Sequence, residues 1–423
     1  MARIIPVSSG KGGVGKTTFS VNFALALSRY GRTVLVDLDL GTSSVRHCLE
    51  VNVPYDLYHF FRKRFPLSHC ITRLDKKLDP RGEFSQFGFV AAPKGMIAEI
   101  GNFDRDHKAR LIHALNSLDC DYIVLDLKAG LDPNVLDFLP TSNSGILIFT
   151  PHLPAATQAA SDIVRAAILR KLRVLFSRDV AARYSNEMAR YCDFIADLLD
   201  RVEDDYDPNF SNFDVFLEKI SEVLRDERIL NAVRHSIEEF KISYVLNRFN
   251  GLTETTQAVI SPFVQSLTQK VSSRLSILNL GWIVDDERIH KANCRRMPCM
   301  LEASAPKKEP VKPAPTTAEQ RLKELETLYV GLKPAKERPK EIEVKREDRG
   351  FITKRPSPED VYAIQLRTIE LMYGQQMGKG YIDNFEYIVQ RCLYLMKSAK
   401  PDDFGARELS SSFEELVRSY VME

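Results

Sequence analysis

The chain has 423 residues, 44% of them hydrophobic, which is enough to bury the core of one large domain and a smaller appendage. Its formal net charge of +2 gives no overall argument for binding nucleic acid or a membrane. Its seven cysteines lack the spacing of a disulfide framework, which indicates a reduced compartment. No apolar run approaches the roughly 20 residues of a spanning helix and no signal peptide is recognisable, so we expect a cytoplasmic protein.

The first predicted elements are a short apolar strand, a glycine-rich loop and a helix that begins near Lys16. Gly10, Gly15, Lys16 and Thr17 fit the spacing G-x-x-x-x-G-K-[ST] of a phosphate-binding loop. Glycines allow backbone N–H groups to approach phosphate oxygens, which a Cβ atom would obstruct. We expect Lys16 to neutralise the β- and γ-phosphates of a nucleotide and the Thr17 hydroxyl to bind Mg²⁺.

A second lysine, Lys11, follows the first glycine of this loop. With it, the string SGKGGVGKT resembles the deviant Walker A loop of the MinD/ParA family of ATPases, in particular its MinD and flagellar-number-regulator branch. The resemblance implies ATP and Mg²⁺ as ligands and an ATP-dependent homodimer in which Lys11 reaches the partner's nucleotide. It also implies a set of nucleotide contacts in the loop: Gly10, Gly12, Gly13, Val14, Gly15, Lys16, Thr17 and Thr18.

The second predicted strand, at residues 33–39, ends in two acidic residues, Asp37 and Asp39. Ligands of open α/β sheets bind beyond the carboxyl ends of strands, so both side chains are placed to face the phosphates. The segment resembles the family's D-x-D-x-G pattern. That resemblance assigns Asp39 to Mg²⁺ and to positioning the attacking water, with residues 41–45 as the first switch. Family members often carry asparagine where Ser44 stands here.

Residues 55–61 have aromatic side chains at helical spacing and are followed by a basic triplet, Arg62, Lys63 and Arg64. Such a surface could contact an acidic partner or nucleic acid. A packed helix with a solvated end gives the same pattern and is the commoner case.

The strand at residues 121–126 is an apolar run closed by Asp126, the Walker B pattern in which the carboxylate holds Mg²⁺. The next residues, 127–130, resemble the family's second switch, but Lys128 stands where small residues or proline are usual. Its charge could act on the γ-phosphate, or its side chain could point outward.

Residues 155–240 have a helical pattern that is too long for a single crossover helix, so we expect an insertion of two to four helices. The following strand ends in Asn247, and the resemblance implies that the Asn247 amide binds the adenine base. Cys294 and Cys299 are five residues apart, which differs from the C-x-x-C of cluster carriers.

The composition changes after residue 304, where lysine, glutamate and proline become frequent. We expect a solvated linker at residues 305–357 and a small helical module at residues 358–423. Phe413, Leu416, Val417 and Tyr420 form an amphipathic pattern with acidic neighbours, which favours a protein partner over an anionic membrane.

The sequence therefore predicts an α/β protein with a doubly wound, mostly parallel sheet, a P-loop NTPase over residues 1–304, with the helical insertion and the C-terminal module added. The predicted function is a slow Mg²⁺-dependent ATPase switch that dimerises around ATP and regulates the positioning, number or assembly of a cellular structure. Its predicted catalytic residues are Lys11, Lys16, Asp39 and Asp126, and its magnesium ligands Thr17, Asp39 and Asp126. A nucleotide-binding scaffold without turnover and an ATP-dependent metal-cluster carrier are the alternatives. The resemblance covers residues 1–150 and 242–303, so a protein partner is expected at the insertion or the C-terminal module; membrane or nucleic acid is not supported.

Overall fold

The computed structural model describes residues 2–39, 44–95, 105–140, 142–177, 186–204, 206–207, 209–224, 227–251, 259–304, 358–376, 380–398 and 404–409. The strands within these residues are β1 Arg3–Ser8, β2 Thr33–Leu38, β3 Thr72–Arg73, β4 Phe87–Val90, β5 Tyr122–Leu127, β6 Asn143–Phe149, β7 Lys241–Phe249 and β8 Ser276–Val284. The helices as far as β7 are α1 Lys16–Ser28, α2 Ser44–Cys48, α3 Leu57–Arg62, α4 Arg105–Asn116, α5 Pro133–Leu136, α6 Pro154–Leu175, α7 Asn186–Glu203, α8 Phe213–Val223 and α9 Glu227–Glu238. The later helices are α10 Ser261–Lys270, α11 Glu287–Cys294, α12 Cys299–Ser304, α13 Pro358–Gln376 and α14 Tyr381–Ser398. A short 3₁₀ helix, Leu67–Cys70, precedes β3.

The described strands form one eight-stranded sheet in the order β3-β4-β2-β5-β1-β6-β7-β8. All pairs are parallel except β3 with β4 at one edge. The central strands β1 and β2 are buried along their whole length, as expected for strands covered on both faces. The predicted α/β class with a doubly wound, mostly parallel sheet is confirmed.

The helix α1 follows β1 through the glycine-rich loop and packs deep in the molecule. Gly15 precedes it with φ 86°, a left-handed conformation that glycine adopts without strain. The Phe19 and Phe23 rings of α1 stack with 5.3 Å between their centroids, and both are buried. The loop and the first turn of α1 are thereby held against the end of β1.

In the described part of the segment between β6 and β7, the helices α6 to α9 pack on the sheet domain. Asp214 in the first turn of α8 is buried and accepts hydrogen bonds from the Ser272 hydroxyl at 2.7 Å and the Ser273 hydroxyl at 2.8 Å. The backbone N–H of Phe213 donates to the carbonyl of Val271 at 2.8 Å. These contacts fix the insertion to the segment that joins α10 to β8.

The C-terminal helices pack directly on the same core. Phe385 of α14 contacts Phe19 of α1 with ring centroids 5.9 Å apart, and Tyr373 of α13 lies 6.4 Å from Trp282 of β8. Residues 404–409 return to the central strand, where Ala406 and Ile4 exchange backbone hydrogen bonds of 2.7 and 2.8 Å. The boundaries at 304 and 358 stay predictions, but the C-terminal helices do not stand apart from the sheet domain.

Several predictions fall on residues that the structure does not describe. They are the linker at 305–357, the amphipathic tail at 413–420 and most of the first switch at 41–45. Among the described helices, none combines the length and the apolar composition needed to cross a bilayer.

Candidate nucleotide-binding site

The site forms where β1, β2 and β5 end side by side. In the parallel register, Asp126 of β5 pairs with Val7 of β1 on one side and with Asp37 of β2 on the other. Two carboxylates therefore meet at the carboxyl edge of the sheet, next to the loop that leaves β1. This edge is where ligands of open α/β sheets bind.

Asp126 is fully buried, and donors from one helix compensate its charge. Lys16 Nζ lies 2.8 Å from Asp126 Oδ1, and Thr17 Oγ1 donates to Oδ2 at 2.7 Å. Ser20 Oγ lies 2.9 Å from Oδ1 and 3.0 Å from the Lys16 carbonyl oxygen. The structure thus brings Lys16, Thr17 and Asp126 together as predicted, and it adds Ser20, which the sequence analysis missed.

Asp37, which the sequence analysis expected to face the phosphates without giving it a catalytic or metal-binding role, is the second buried carboxyl of the site. Burial, and then the nearby charge of Asp126, raise the pKa of Asp37 to about 8. The backbone N–H groups of Asp39 and Val45 donate to its two oxygens, each at 3.1 Å. Asp37 therefore joins the end of β2 to α2, and Asp39 follows it half-buried at the strand end.

The glycines of the loop divide into open and packed positions. A Cβ atom at Gly12 or Gly13 would meet no atom within 4 Å, so the loop presents bare backbone on that side. A Cβ atom at Gly10 would collide with the Ala159 carbonyl of α6. The back of the loop therefore packs against the first helix of the insertion, while Lys11 on its open side is exposed.

The side chain of Asn247, near the end of β7, contacts the backbone of the glycine-rich loop. Its side-chain N–H donates to the Val14 carbonyl oxygen at 2.7 Å, and a Cβ atom at Gly15 would collide with the same amide. The predicted contact of Asn247 with adenine stays a prediction. Thr18, the last predicted loop contact, accepts a hydrogen bond of 3.2 Å from the Asn293 side chain of α11.

The second switch is tied to the loop through its backbone. The Gly130 N–H donates to the Ser9 carbonyl oxygen at 2.9 Å, with Gly130 at φ 104°. The Lys128 side chain is 56% exposed and forms an ion pair of 3.5 Å with Asp132 in the next turn. This geometry favours the outward orientation of Lys128. The Ser44 side chain lies outside the described residues.

The donor set fits a nucleotide phosphate with Mg²⁺. Thr17 and Asp126 supply hydroxyl and carboxylate oxygens in mutual contact, which are ligand types that Mg²⁺ prefers. Asp39 follows β2, and its backbone N–H contacts Asp37. At the start of the loop, the buried Ser9 hydroxyl has no hydrogen-bond partner among the residues that the structure describes. No group of three or more His, Cys, Asp or Glu side chains in the described part of the chain could hold a metal ion by itself. Mg²⁺ bound with phosphates requires only one or two carboxylates.

The two cysteines considered for a metal cluster lie in different environments. Cys299 is buried, donates to the Asn22 side-chain oxygen at 3.2 Å, and has its thiol pKa raised by burial to about 12. Cys294 is exposed on α11 beside His290. A thiol of raised pKa is a poor metal ligand, so this pair does not resemble a cluster site.

Comparison with known proteins gives matches over the first part of the chain. A family model described as an AAA domain matches residues 2–173. The septum site-determining protein MinD of Helicobacter pylori is 31% identical over 156 residues, which are 36% of this chain and 54% of that protein. MinD of Escherichia coli K12 is 28% identical over 176 residues, 41% of this chain and 61% of that protein. The chain spans about half the length of the curated relatives it matches.

Two solved structures are similar over a longer part of the chain. MinD of Pyrococcus horikoshii, complexed with Mg-ADP, has 16% sequence identity and a TM-score of 0.41, covering 73% of this chain and 91% of that one. A ParA family ATPase from Chlorobium tepidum has 15% identity and a TM-score of 0.40, covering 73% and 95%.

The matched segment contains the elements that build the site. It runs from β1 into α6 and includes the loop with both lysines, the paired ends of β2 and β5, and the buried Asp126. Through this segment, the chain is similar to the AAA-domain family model and to the MinD proteins of Helicobacter pylori and Escherichia coli.

Proposed function

We propose that the protein is a Mg²⁺-dependent ATPase switch that dimerises around ATP and regulates the positioning, number or assembly of a cellular structure. The observation that carries this proposal is the buried Asp126 carboxylate, in contact with Lys16 and Thr17 at the mouth of a glycine-rich loop. A loop of this kind binds phosphate oxygens through its backbone N–H groups and the start of α1. The two relatives reported above are named septum site-determining proteins, which supports a task of this type.

The side chains divide the work of binding between them. Lys16 would supply the positive charge for the β- and γ-phosphates. Thr17 and Asp126 would hold Mg²⁺ together with these phosphates. The bound metal neutralises charge that develops on the phosphate oxygens. Ser20 keeps the Asp126 carboxylate oriented, because its hydroxyl lies 2.9 Å from the oxygen that Lys16 also contacts.

Hydrolysis needs a group that orients water, and we assign this role to Asp39. It follows β2 directly, and its backbone N–H donates a hydrogen bond of 3.1 Å to the Asp37 carboxyl oxygen. Burial, and then the nearby charge of Asp126, raise the pKa of Asp37 and so disfavour its charged form. Asp39, half-buried and nearer the solvent, is the better candidate for orienting the attacking water.

Dimerisation is supported by side chains on the carboxyl edge of the sheet. Lys11 is exposed and has no ion pair with any residue that the structure describes. Two apolar side chains are exposed at the same edge, Leu131 after the second switch at 48% and Leu153 after β6 at 40%. A free lysine beside exposed leucines fits a surface that a second copy covers, with Lys11 reaching the partner's nucleotide.

Variants of Lys11 and Asp39 test the proposal because they should fail in opposite directions. Lys11→Ala should bind ATP yet stay monomeric and hydrolyse little, since its charge acts on the partner's nucleotide. Asp39→Ala should bind ATP, dimerise and remain dimeric, since losing a water-positioning group slows chemistry by about 10²–10⁴-fold. Size-exclusion chromatography with light scattering, run with ATP and Mg²⁺, separates the two outcomes.

Lys219→Ala is the matched control, because Lys219 is a surface lysine of α8 paired with Glu222. It should dimerise and hydrolyse ATP like the parent. If Lys11→Ala and Asp39→Ala both dimerise like the parent, or neither does, the sandwich dimer is wrong. Absence of Mg²⁺-dependent phosphate release from the parent would leave a nucleotide-binding scaffold instead.

A further inference from the structure

The end of α3 carries a positive surface that the nucleotide site does not use. Lys63 caps the helix, Arg64 follows it, and both side chains are exposed. In the portion of the chain that the structure describes, neither side chain has an ion-pair partner. The surface therefore holds uncompensated charge beside a helix that packs on the sheet.

Arg110 of α4 completes this surface and is fixed in place. Its guanidinium donates to the carbonyl oxygens of Phe60 at 2.8 Å and Phe61 at 3.4 Å, and it lies 4.4 Å above the centre of the Phe60 ring. Burial, and then the nearby charge of Arg64, lower the pKa of Arg110. The Arg110 guanidinium is thus fixed at the end of α3 near Arg64, and none of the carboxylates that the structure describes forms an ion pair with it.

The backbone at Arg64 has a conformation that arginine rarely adopts. Its φ is 60°, in the left-handed region where helix C-termini usually carry glycine. The turn is closed by hydrogen bonds of 3.0 and 3.2 Å from Lys63 and Phe65 to the His59 carbonyl oxygen. Glycine would form this turn without strain, so the side chain of Arg64 is not explained by the turn itself.

We propose that Lys63, Arg64 and Arg110 form a docking site for a protein segment rich in aspartate and glutamate. Guanidinium groups bind carboxylates through paired hydrogen bonds, and two of them lie together here. Tyr55, 42% exposed, packs against Phe65 with ring centroids 5.2 Å apart and offers an apolar surface beside the charges. The chain as a whole carries a charge of only +2, so a compact acidic peptide fits better than a long polyanion or a membrane.

This docking site is connected to the first switch. Arg46 of α2 forms an ion pair of 2.7 Å with Asp56, and Asp56 caps α3 by accepting a hydrogen bond of 3.1 Å from the Tyr58 N–H. Val45, the residue before Arg46, donates to Asp37 in the nucleotide site. This part of the inference rests on the proposed ATPase switch. A change of the nucleotide state then alters the affinity of the docking site through α2 and α3.

Arg64→Gly tests the docking site, with Arg296→Gly as its matched control. Arg296 also has a left-handed backbone, φ 54°, follows α11 and is exposed. The probe is a short fluorescein-labelled peptide of alternating glutamate and leucine, measured by anisotropy on the nucleotide-free full chain at low ionic strength. Arg64→Gly should bind roughly tenfold more weakly, the effect of one charge-assisted contact, while Arg296→Gly should change affinity less than about twofold.

Thermal unfolding of the same variants separates docking from a structural role. If Arg64 only complemented the dipole at the end of α3, Arg64→Gly would lower the melting temperature. The proposal expects an unchanged or higher melting temperature together with lost peptide binding. Equal losses in both glycine variants, or no binding by the parent, would overturn the site. Tighter, Arg64-dependent binding of a single-stranded oligonucleotide or of phosphatidylserine vesicles would overturn the acidic-peptide assignment.

The connection to the switch is measured by repeating the titration with a non-hydrolysable ATP analogue and Mg²⁺. The affinity of the parent for the peptide should change severalfold, and Arg46→Gln should retain the nucleotide-free affinity but lose that change. A parallel titration with a fluorescent ATP analogue reports nucleotide binding independently. Without nucleotide binding the proposed function fails, whereas the nucleotide-free peptide measurement still decides the docking site. Nucleotide binding without a change in peptide affinity would overturn the connection alone.

Discussion

A buried carboxylate must be compensated, and at Asp126 the compensation comes from a single helix. The first turns of α1 carry Lys16, Thr17 and Ser20. Lys16 and Ser20 contact one carboxylate oxygen of Asp126, and Thr17 contacts the other. Removing one partner of a buried ion pair leaves a buried charge unpaired, which costs more than the pair itself contributes. The loop, the helix and the second acidic strand are therefore energetically one unit, even before a nucleotide binds.

Lys16→Ala should abolish measurable nucleotide binding and also lower the stability of the free protein. The phosphates lose a charge-assisted contact worth roughly 1.5–3 kcal/mol, and Asp126 loses its cation. Isothermal titration with ATP and Mg²⁺ measures the first effect, and urea unfolding the second. Lys128→Ala is the comparison, since the Lys128 side chain is 56% exposed and paired with Asp132. ATP affinity within about twofold of the parent in Lys16→Ala would contradict the P-loop assignment.

Motif spacing identifies Lys16, Thr17 and Asp126, because a phosphate-binding loop requires these residue types at fixed separations. Ser20 and Asp37 are harder to find, since their roles depend on register. Asp37 matters because β2 pairs with β5 so that it lies opposite Asp126. Ser20 lies one turn after Lys16 on the same face of α1, a signal that helical spacing offers once Asp126 is known to approach that face.

At the scale of elements, α6 combines two functions. Its second turn contacts the back of the loop at Gly10, and further along the helix Lys171 is buried, with only 7% exposure. Burial lowers the pKa of Lys171 from 10.5 to about 7, opposed by the charge of Glu239. A buried amine of this kind makes the stability of the insertion depend on pH.

The sign of that dependence follows from proton binding. Between about pH 7 and 10.5 the unfolded lysine is protonated and the folded one is not, so stability from this group rises with pH, by at most about 1.4 kcal/mol per unit. Lys171→Met should therefore stabilise the protein most at pH 7 and below. Above pH 7, its free energy of unfolding should rise less with pH than that of the parent. Urea unfolding at several pH values measures the difference.

Lys219→Met serves as the control for Lys171→Met, because Lys219 on α8 is 48% exposed. Its unfolding free energy should follow that of the parent at every pH. A Lys171→Met variant whose advantage grows as pH rises from 7 would have the opposite sign and would show that the amine stays charged in the folded protein.

The strands and the long helices were predictable as elements, because buried parallel strands are continuous apolar runs and the helices are periodic. Where the C-terminal helices pack was not predictable. The change of composition after residue 304 marks a chain that leaves the domain, yet it carries no information on whether the chain returns. The partners of α13 and α14 are Tyr244, Trp282 and Phe19, far away in sequence.

For the whole molecule, the C-terminal segment closes the core at two places. Gln365 of α13 donates to the Ile277 carbonyl oxygen at 2.7 Å, so α13 is fixed to β8. Farther along, the Asn143 side chain donates to the Gly405 carbonyl oxygen at 2.8 Å, which holds the chain at the start of β6. The C-terminal segment thus contacts the sheet at its edge through α13 and at its centre through residues 404–409.

A chain ending at residue 357 should accordingly be strongly destabilised, because it loses the cover of Phe19 and Trp282. A chain ending at residue 409 keeps every described contact and should unfold like the parent. Circular dichroism melting and binding of a dye specific for exposed apolar surface compare the two. If the chain ending at 357 melts like the parent and binds ATP, the predicted boundary at 358 is a true domain boundary.

Gly281→Ala tests the same packing without removing any residue. Gly281 in β8 has φ 143°, and a Cβ atom there would lie 2.9 Å from Ile388 of α14. Gly82 has φ 67° and nothing within 4 Å of its Cβ position, so Gly82→Ala measures backbone strain alone. Strain at such positions costs about 1–3 kcal/mol. Gly281→Ala should lose more unfolding free energy than Gly82→Ala, because α14 must also shift. Introducing Ile388→Ala into Gly281→Ala and into its parent supplies the decisive comparison. The excess cost should vanish there, since the clashing atoms of Ile388 are gone, whereas an excess that persisted would show that the clash lies within the sheet domain.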